Sequence, residues 1–309
     1  MQHSAFAKPG RFFRGNLHTH SNLSDGALEP GEVCRRYADT GYDFLCLSEH
    51  FVGRYNYPLA DTTPYRTNRF TTILGAEVHS GALENGEIWH ILAVGLPKDF
   101  APSNSPDFRP SDDQESGADI AKRCVEAGAF VAIAHPQWYG LTLADARKIG
   151  SAHAVEIYNH GCHIECDRGD GAAVWDLLLS DGWRLSGCAT DDAHFRGDAP
   201  DHFGGWVMVK AEANDPDLLL AALKAGEYYS STGPELRNVE IEGDVIRVEC
   251  SPVEHIIAIG QNSASASKDG RNFTRAELPV KRFRRHGWFR VVAMDARGKR
   301  AWSNPIWLE

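Results

Sequence analysis

The chain has 309 residues, of which 42% are hydrophobic and 24% are charged, so it is long enough for one large domain or for a large and a small one. Its formal net charge of −10 argues against a general binder of polyanions such as nucleic acid. The first residues contain no apolar run of secretory length, and no later run approaches the roughly 20 apolar residues that a membrane span needs. We therefore expect a cytoplasmic protein.

Short apolar runs alternate with helical patterns as far as about residue 228. This alternation is typical of βαβ units, in which helices connect parallel strands. It predicts a parallel sheet or barrel. The candidate strands, in chain order, are GNLHTH, DFLCLSEH, ILGAEVHS, IWHILAVGL, FVAIAHP, AVEIYN and RLSGCATDDAH.

Helical patterns follow several of these strands, and some end at a clear stop signal. Gly41, Gly128 and Gly182 each stand where a glycine can close a helix in the left-handed conformation. The candidate helices are EPGEVCRRYADTG, DQESGADIAKRCVEAG, TLADARKIG, RGDGAAVWDLLLSDG and DPDLLLAALKAG.

The hydrophobic pattern changes to period two in the last quarter of the chain. Ile246, Val248 and Cys250 alternate with charged residues, as in a strand with one buried face. Further runs of this kind continue to the end of the sequence. We therefore predict a barrel domain at residues 1–233 and a small antiparallel, β-sandwich-like domain at residues 234–309.

Polar residues recur where the apolar runs end. His18 and His20 stand two apart in the first predicted strand, so both side chains can face one point. The carboxyl ends of the strands of a parallel barrel open on one face, where functional sites are built. Nine residues able to bind metal should meet there: His18, His20, Asp25, His50, Glu77, His90, His135, Asp192 and His194.

This set predicts a site for two or three divalent ions. Imidazole and carboxylate ligands together suit Zn²⁺, Mn²⁺ or Fe²⁺, whereas Ca²⁺ prefers oxygen alone. Each residue taken singly would more simply be a hydrogen-bonded core histidine or a helix-capping aspartate. That explanation fails for the nine residues jointly.

The motifs HTHSNLSDG, SEH, GAEV, AHP and DDAH, in this order, resemble those of the PHP family, the polymerase and histidinol phosphatase domains. The resemblance spans residues 14 to about 205. It implies a distorted TIM-like (β/α)7 barrel with a di- or trinuclear metal site. The tail from YYSSTGPEL to AWSNPI is similar to that of stand-alone PHP hydrolases related to carbaryl hydrolase.

The resemblance also implies how the ligands are shared among the ions. Glu49 stands where many members have aspartate, and His79 is an alternative to His90 because it is also close to Glu77. The implied sets are His18, His20, Glu77 and Asp192 for the first ion, Glu77, His90 and His135 for the second, and Asp25, His50 and His194 for the third.

A carboxylate-bridged pair of cations lowers the pKa of a shared water and favours an anionic substrate. We therefore predict a phosphoesterase, such as a phosphatase, that cleaves a small phosphate monoester or diester with a metal-activated hydroxide. No G-x-S-x-G, P-loop or dinucleotide motif competes with this prediction. The candidates for the general acid are Asp25, His194 and His160.

Candidates for substrate contacts lie beside the predicted ligands. Arg54 and Arg196 follow two of the histidines closely, and a guanidinium there would grip a phosphate with two parallel hydrogen bonds. Each arginine is equally well explained as a surface ion-pair partner. Tyr158 and Asn159 end the sixth predicted strand and would face the same opening.

Two other functions stay open at this point. A metallohydrolase of an amide, carbamate or carboxylic ester would use the same activated water in a more apolar opening, which the tyrosines near residue 57 permit. A domain that binds metal or ligand without turnover is disfavoured by the complete ligand set. A nucleic-acid partner is unlikely, because the basic run KRFRRHG is typical of a solvated edge strand. The oligomeric state is not indicated.

Overall fold

The computed structural model describes residues 5–308, which form a mixed β-sheet flanked by helices. The strands are β1 (Arg11–Asn16), β2 (Phe44–Leu47), β3 (His50–Phe51), β4 (Thr71–Ala82), β5 (Ile88–Val94), β6 (Phe130–Ile133), β7 (Ala154–Asn159), β8 (Ser186–Thr190), β9 (Trp206–Ala211), β10 (Tyr228–Ser231), β11 (Leu236–Glu242), β12 (Val245–Ile259), β13 (Ser265–Pro279), β14 (Trp288–Met294), β15 (Arg300–Ser303) and β16 (Ile306–Trp307). The α-helices are α1 (Pro30–Asp39), α2 (Gly117–Glu126), α3 (Leu143–Lys148), α4 (His160–Cys166), α5 (Ala172–Ser180) and α6 (Pro216–Lys224).

The main path of the sheet runs in the order β11-β12-β14-β15-β10-β9-β1-β2-β4-β5-β6-β7-β8. The pairs β1–β2, β2–β4, β6–β7 and β7–β8 are parallel, as the βαβ pattern predicts. β9 is antiparallel to β1, and β10 is antiparallel to β9. The fold is therefore a mixed α/β fold with a parallel part on either side of β5.

The prediction of a wholly parallel barrel is wrong at the fourth predicted strand. β5 is antiparallel to both of its neighbours, β4 and β6. Only residues 83–87 connect β4 to β5, which is a hairpin length, whereas a parallel crossover needs a dozen or more residues. The short connection therefore decides the direction of this strand.

The expected TIM-like barrel is not closed by strand pairing. Among the described strands, β8 ends the path without pairing with β1. Beyond both strands, an isolated parallel bridge joins Thr19 to Ala193, and the His20 N–H donates to the Ala193 carbonyl at 2.9 Å. The sheet thus curves far enough to bring the chain after β1 beside the chain after β8.

The interior of this curved sheet is filled by one hydrophobic cluster. It contains Phe13 of β1, Phe44 of β2, Leu92 of β5 and Phe130 of β6, all at most 2% exposed. Leu223 of α6 belongs to the same cluster. Helix α6 therefore packs against strands from several parts of the curved sheet.

The five predicted helices are present, and the predicted stop signals work as glycine caps. Gly41, Gly128 and Gly182 have φ angles of +84°, +94° and +93°, which favour glycine. The additional helix α4 was not predicted. It begins directly after β7, where Asn159 accepts a hydrogen bond from the Cys162 N–H at 2.9 Å.

The C-terminal strands pair antiparallel with one another, in keeping with their period-two pattern. They continue the same sheet, because β15 pairs with β10. An ion pair between a buried arginine and a half-buried aspartate adds a second connection. Nε and Nη2 of Arg290, on β14, donate to the two carboxylate oxygens of Asp176, on α5, at 2.7 Å each. The division into domains at residue 233 stays a prediction.

The helices are short, and the longest two, α1 and α2, have ten residues each. Between residues 5 and 308, no helix combines the length and the apolarity that crossing a membrane requires. A cytoplasmic location stays a prediction.

We predict that Asp176→Ala lowers the free energy of unfolding by about 2 kcal/mol, because it strands the Arg290 guanidinium, which is 3% exposed, without its carboxylate. Urea denaturation followed by tryptophan fluorescence measures this change. Asp244→Ala is the matched control, since it breaks the Asp244–Arg284 pair on the surface. Equal effects of the two substitutions would contradict the stabilising role that we assign to the Asp176–Arg290 pair.

Candidate metal centre

The candidate metal ligands lie mostly just beyond the strand ends rather than within the strands. β1 ends at Asn16, so His18 and His20 follow the strand and do not belong to it, contrary to expectation. His135 and Asp192 likewise stand two residues after β6 and β8. Glu77, His90 and His50 are exceptions, since they lie within β4, β5 and β3. They reach the site because they lie on paired neighbouring strands, not because they follow a strand end.

His18 and His20 face the same oxygen of Asp192. The Nε2 atoms of the two rings lie 3.2 Å and 3.0 Å from Asp192 Oδ1. Asp192 has a φ of +57°, a left-handed conformation that aspartate tolerates better than most residues, and its N–H donates to the His18 carbonyl at 2.8 Å. This turn directs the carboxylate from the end of β8 toward the histidines.

Glu77 lies at the centre of the cluster and is wholly buried. Its Oε1 lies 2.8 Å from His90 Nδ1 and 2.9 Å from His135 Nε2. Its Oε2 lies 2.6 Å from His50 Nδ1 and 3.5 Å from His18 Nε2. One carboxylate thus faces different histidines with its two oxygens, the arrangement that a bridging ligand needs.

A third group forms around Asp25. Its Oδ1 lies 3.4 Å from His50 Nε2 and 3.3 Å from His194 Nε2. Its Oδ2 lies 2.7 Å from Arg196 Nη2, and its backbone carbonyl accepts from Arg196 Nε at 2.7 Å. His194 Nδ1 is 2.9 Å from the Asp192 carbonyl, so its other nitrogen faces Asp25. Arg196 therefore holds the Asp25 loop as well as reaching the opening.

These residues meet the geometric requirement of metal sites. Ligand atoms lie within 4.8 Å of one another in each of four groups: His20, Asp25, His50 and His194; His18, Glu77 and His135; His18, His20 and Asp192; and His50, Glu77 and His79. His90 belongs to none of these groups, although it touches Glu77. His79, the alternative to it, belongs to one.

Buried atoms without a hydrogen-bond partner provide the test of fit. Within residues 5–308, these atoms include His18 Nε2, Asp25 Oδ1 and Glu77 Oε2, all of which point into the cluster. Buried polar atoms are normally paired, because an unpaired one is costly. Nitrogen and carboxylate donors are the ligand types of Zn²⁺, Mn²⁺ and Fe²⁺. The residues therefore fit divalent ions.

The charge states are set by burial and by the close contacts. Burial opposes ionisation of Glu77, but the imidazoles around it, His50 foremost, hold its pKa well below its usual range. Burial also disfavours a charged His50, yet Glu77 and Asp25 raise its pKa to about 10. Burial and the neighbouring His50 and His194 lower the pKa of His20 to about 3. The cluster thus holds ionised carboxylates beside some imidazoles with a raised pKa and others with a lowered pKa.

Glu156, in the middle of β7, is a residue that the sequence analysis missed. Its Oε1 lies 3.0 Å from His18 Nδ1, and its Oε2 accepts from the His135 N–H at 2.6 Å and from Asn159 Nδ2 at 2.9 Å. It also accepts a short hydrogen bond from Thr190. A glutamate inside an apolar strand was the available signal, since a buried carboxylate must be paired.

Glu49, noted for its departure from the family pattern, contacts the loop that carries Asp25. It is wholly buried and accepts from the Ser21 N–H at 3.1 Å, and from the hydroxyls of Ser21 and Ser24 through short hydrogen bonds. It therefore fixes the turn that follows the two histidines.

A cavity of about 260 Å³ opens over the cluster. Six metal-binding candidates line it: Asp25, His50, His90, His135, Asp192 and His194. The apolar part of its wall comes from Ile88, Phe108, Trp138 and Cys162. Its charged residues beyond the cluster are Arg196, Glu87 and Glu165.

Four of the predicted catalytic and substrate-contact residues do not line this cavity: His160, Arg54, Tyr158 and Asn159. The His160 ring turns away from the cavity, with its Nδ1 2.9 Å from the Tyr158 hydroxyl. Burial and, to a smaller extent, the positive charge of Lys299 lower the pKa of this ring to about 4. Arg54 lies at the surface, 3.6 Å from Asp107. Asn159 is wholly buried and donates from Nδ2 to Asp192 Oδ2 at 3.1 Å, so it contacts the cluster from behind.

Comparisons with known proteins give structural matches alone. No protein-family model matches the chain, and no curated protein matches it. The fold is similar to that of a two-domain protein from Bacteroides vulgatus that contains a predicted PHP-like metal-dependent phosphoesterase, with a TM-score of 0.53, 15% identity and 88% of each chain covered. It is also similar to an amidohydrolase from Chromobacterium violaceum, solved with bound sulfate and no metal, with a TM-score of 0.42 and 20% identity over 61% of this chain and 90% of that one.

At 15% identity, the first match bears on the fold alone. The match extends over most of the chain, because 88% of its residues are aligned. The resemblance that the motifs indicate is thus confirmed at this level: the chain has the fold of PHP-like proteins.

Proposed function

We propose that the protein is a metal-dependent phosphoesterase that hydrolyses a small phosphate monoester or diester. The observation that carries this proposal is the buried cluster of imidazole and carboxylate groups, in which several of the atoms that face one another have no hydrogen-bond partner. His18, His20, Glu77 and Asp192 would hold one divalent ion. Zn²⁺, Mn²⁺ and Fe²⁺ all suit these donors.

The remaining candidates would hold the other ions. Glu77 would be shared with a second ion through the oxygen that faces His90 and His135. Asp25, His50 and His194 would hold a third. Bound ions of this kind supply positive charge that activates water and neutralises an anionic substrate. The protein supplies the fixed orientation of the ligands.

Glu156 supports this orientation. By accepting from His18 Nδ1, it keeps the other nitrogen of His18 free to face the cluster. By accepting from the His135 N–H, it also fixes the backbone from which a second ligand projects. We infer that it is a positioning residue, because it touches the ligands and lies behind them.

Arg196 is the substrate-binding residue that we propose. Asp25 fixes its Nε and Nη2, whereas its side chain is 54% exposed and lines the cavity. The N–H groups of the Arg196 guanidinium that Asp25 does not engage can bind a phosphate oxygen. The modest volume of the cavity, about 260 Å³, favours a small substrate. Arg54, held near Asp107 at the surface, is less suited to this role.

A second candidate function is hydrolysis of an amide, carbamate or carboxylic ester. The apolar wall formed by Ile88, Phe108 and Trp138 favours it, because it would receive an uncharged group. Arg196 at the same opening favours the phosphate ester, since its positive charge would serve an anion better than an uncharged carbonyl.

We predict that exhaustive chelation abolishes hydrolysis of a chromogenic phosphate ester and that Mn²⁺ or Zn²⁺ restores it, because the clustered ligands need cations to act. The measurement is the initial rate of nitrophenol release from a phosphate monoester, a phosphate diester and a carboxylic ester. A rate that survives metal removal would overturn the proposal. Turnover of the carboxylic ester alone would favour the second candidate function.

We predict that Glu156→Gln weakens metal binding about 10- to 100-fold, because His18 loses the carboxylate that orients it. Competition with a fluorescent chelator measures the affinity. Glu165→Gln is the matched control, since Glu165 is exposed on α4 and lines the cavity without touching a ligand from behind. Unchanged affinity in Glu156→Gln would show that His18 needs no such partner.

We predict that His194→Gln lowers kcat/KM about 100-fold or more, because His194 both faces Asp25 and lines the cavity. His160→Gln should leave the rate close to that of the unaltered protein, since its ring contacts Tyr158 outside the cavity. Steady-state kinetics on the preferred phosphate ester compares the two. A large loss in His160→Gln would return that residue to the list of general acids.

A further inference from the structure

A second cavity lies on the other side of α4. Its volume is about 480 Å³, larger than that of the cavity over the metal-binding candidates. Tyr158 of β7 and His163 of α4 line it from one side, and the turn between β14 and β15 lines it from the other. None of the metal-binding candidates lines it. It is therefore a separate site.

Three cations line this cavity from one short stretch of chain, Arg297, Lys299 and Arg300. Within the part of the chain that the structure describes, the side chains of Lys299 and Arg300 have no ion-pair partner, and Arg297 has only Asp295 at 3.5 Å. Positive charges collected in a concave site without partners are suited to bind an anion.

The turn that carries these cations is held in place. Asp295 Oδ1 accepts from the Arg297 N–H at 2.8 Å and from the Lys299 N–H at 3.0 Å. Gly298 has a φ of +75°, and its N–H donates to the Asp295 carbonyl at 3.0 Å, which closes the turn. The cations therefore project from an ordered backbone, and binding an anion would not first have to order it.

The other walls limit the kind of anion. Tyr158 and Trp302 lie with ring centroids 6.2 Å apart at 26°, and form an apolar surface in the cavity. Asp167 and Asp170 line the side contributed by the end of α4 and the loop after it. A long polyanion would meet these carboxylates, whereas a small molecule with its negative charge at one end would avoid them.

We propose that this cavity binds a small phosphorylated molecule, with its phosphate on Arg297, Lys299 and Arg300. The rest of the molecule lies against Tyr158 and Trp302. Two guanidinium groups and one ammonium give a phosphate several charge-assisted hydrogen bonds. Asp167 and Asp170 accept hydrogen bonds from hydroxyl or amine groups at its other end.

This site lies one helix away from the metal centre. His163 of α4 and Asp167, which follows the helix, line the second cavity, whereas Cys162 and Glu165 of α4 line the first. Asn159, which caps the helix, also donates to Asp192 and Glu156. The inference does not depend on the proposed function, because it rests on residues outside the metal centre.

The test is binding of inorganic phosphate to the metal-loaded protein, measured by equilibrium dialysis. Three proteins are compared: the unaltered chain, Lys299→Glu/Arg300→Glu, and the control Lys281→Glu/Arg285→Glu. Lys281 and Arg285 are exposed in the same C-terminal region and lie outside the cavity, so the control makes the same change of net charge. Circular dichroism checks folding, and Arg297→Ala/Lys299→Ala replaces the first variant if that protein does not fold.

We expect the substitutions in the cavity to remove one bound phosphate per chain or to weaken it about tenfold or more, with no such change in the control. Phosphate held at the metal centre is common to all three proteins and cancels in the comparison. Identical binding in all three proteins, or an equal loss in both variants, would overturn the proposal.

Discussion

Glu77 is the residue on which the rest of the site depends. It is a wholly buried carboxylate surrounded by imidazoles, and removing such charges from water is costly unless they are well paired. The imidazoles share its two oxygens without satisfying every buried atom, since Glu77 Oε2 and His18 Nε2 lack hydrogen-bond partners among the described residues. Divalent ions would offset this cost, and the fold is arranged to keep the ligands in place for them.

A layer of polar residues behind the ligands performs this task. Glu156 orients His18 and the backbone of His135, Asn159 donates to Asp192, and Glu49 fixes the turn before Asp25. All three supporting residues are wholly buried. They also explain why the ligands can lie beyond the strand ends, where the sheet no longer fixes the backbone.

The sequence predicts the composition of the site better than its geometry. Polar residues in otherwise apolar runs identify the metal-binding candidates, because burial of such residues demands a partner. Periodicity does not reveal how the chain turns after a strand, so His160 was placed at the opening although its ring contacts Tyr158 elsewhere. Of the two positions that the sequence leaves open for Arg54, the structure has it at the surface, 3.6 Å from Asp107.

The fold, too, can be predicted from the sequence only in part. The helices and most parallel strands follow from capping residues and hydrophobic runs, which act locally. The direction of β5 depends instead on the length of one connection. The approach of the two ends of the curved sheet depends on contacts between the chain after β1 and the chain after β8, which are distant in sequence. Neither is encoded in the pattern of a single segment. The choice between His79 and His90 is equally non-local, because the residues pair across β4 and β5.

The C-terminal strands bear on the site through α4 and α5. Arg290 of β14 is paired with Asp176 of α5, and the turn after β14 brings Lys299 close enough to His160, the first residue of α4, to lower the pKa of its ring further, beyond the effect of burial. The same β15 that follows this turn pairs with β10 in the continuous sheet. Helix α4 separates the two cavities, and its cap, Asn159, donates a hydrogen bond to Asp192. A molecule bound in the second cavity would therefore contact a helix whose cap is hydrogen-bonded to a metal-binding residue. The C-terminal region is thus part of the structure that surrounds the site, and removing it would uncover one face of α4 and leave Asp176 of α5 without Arg290.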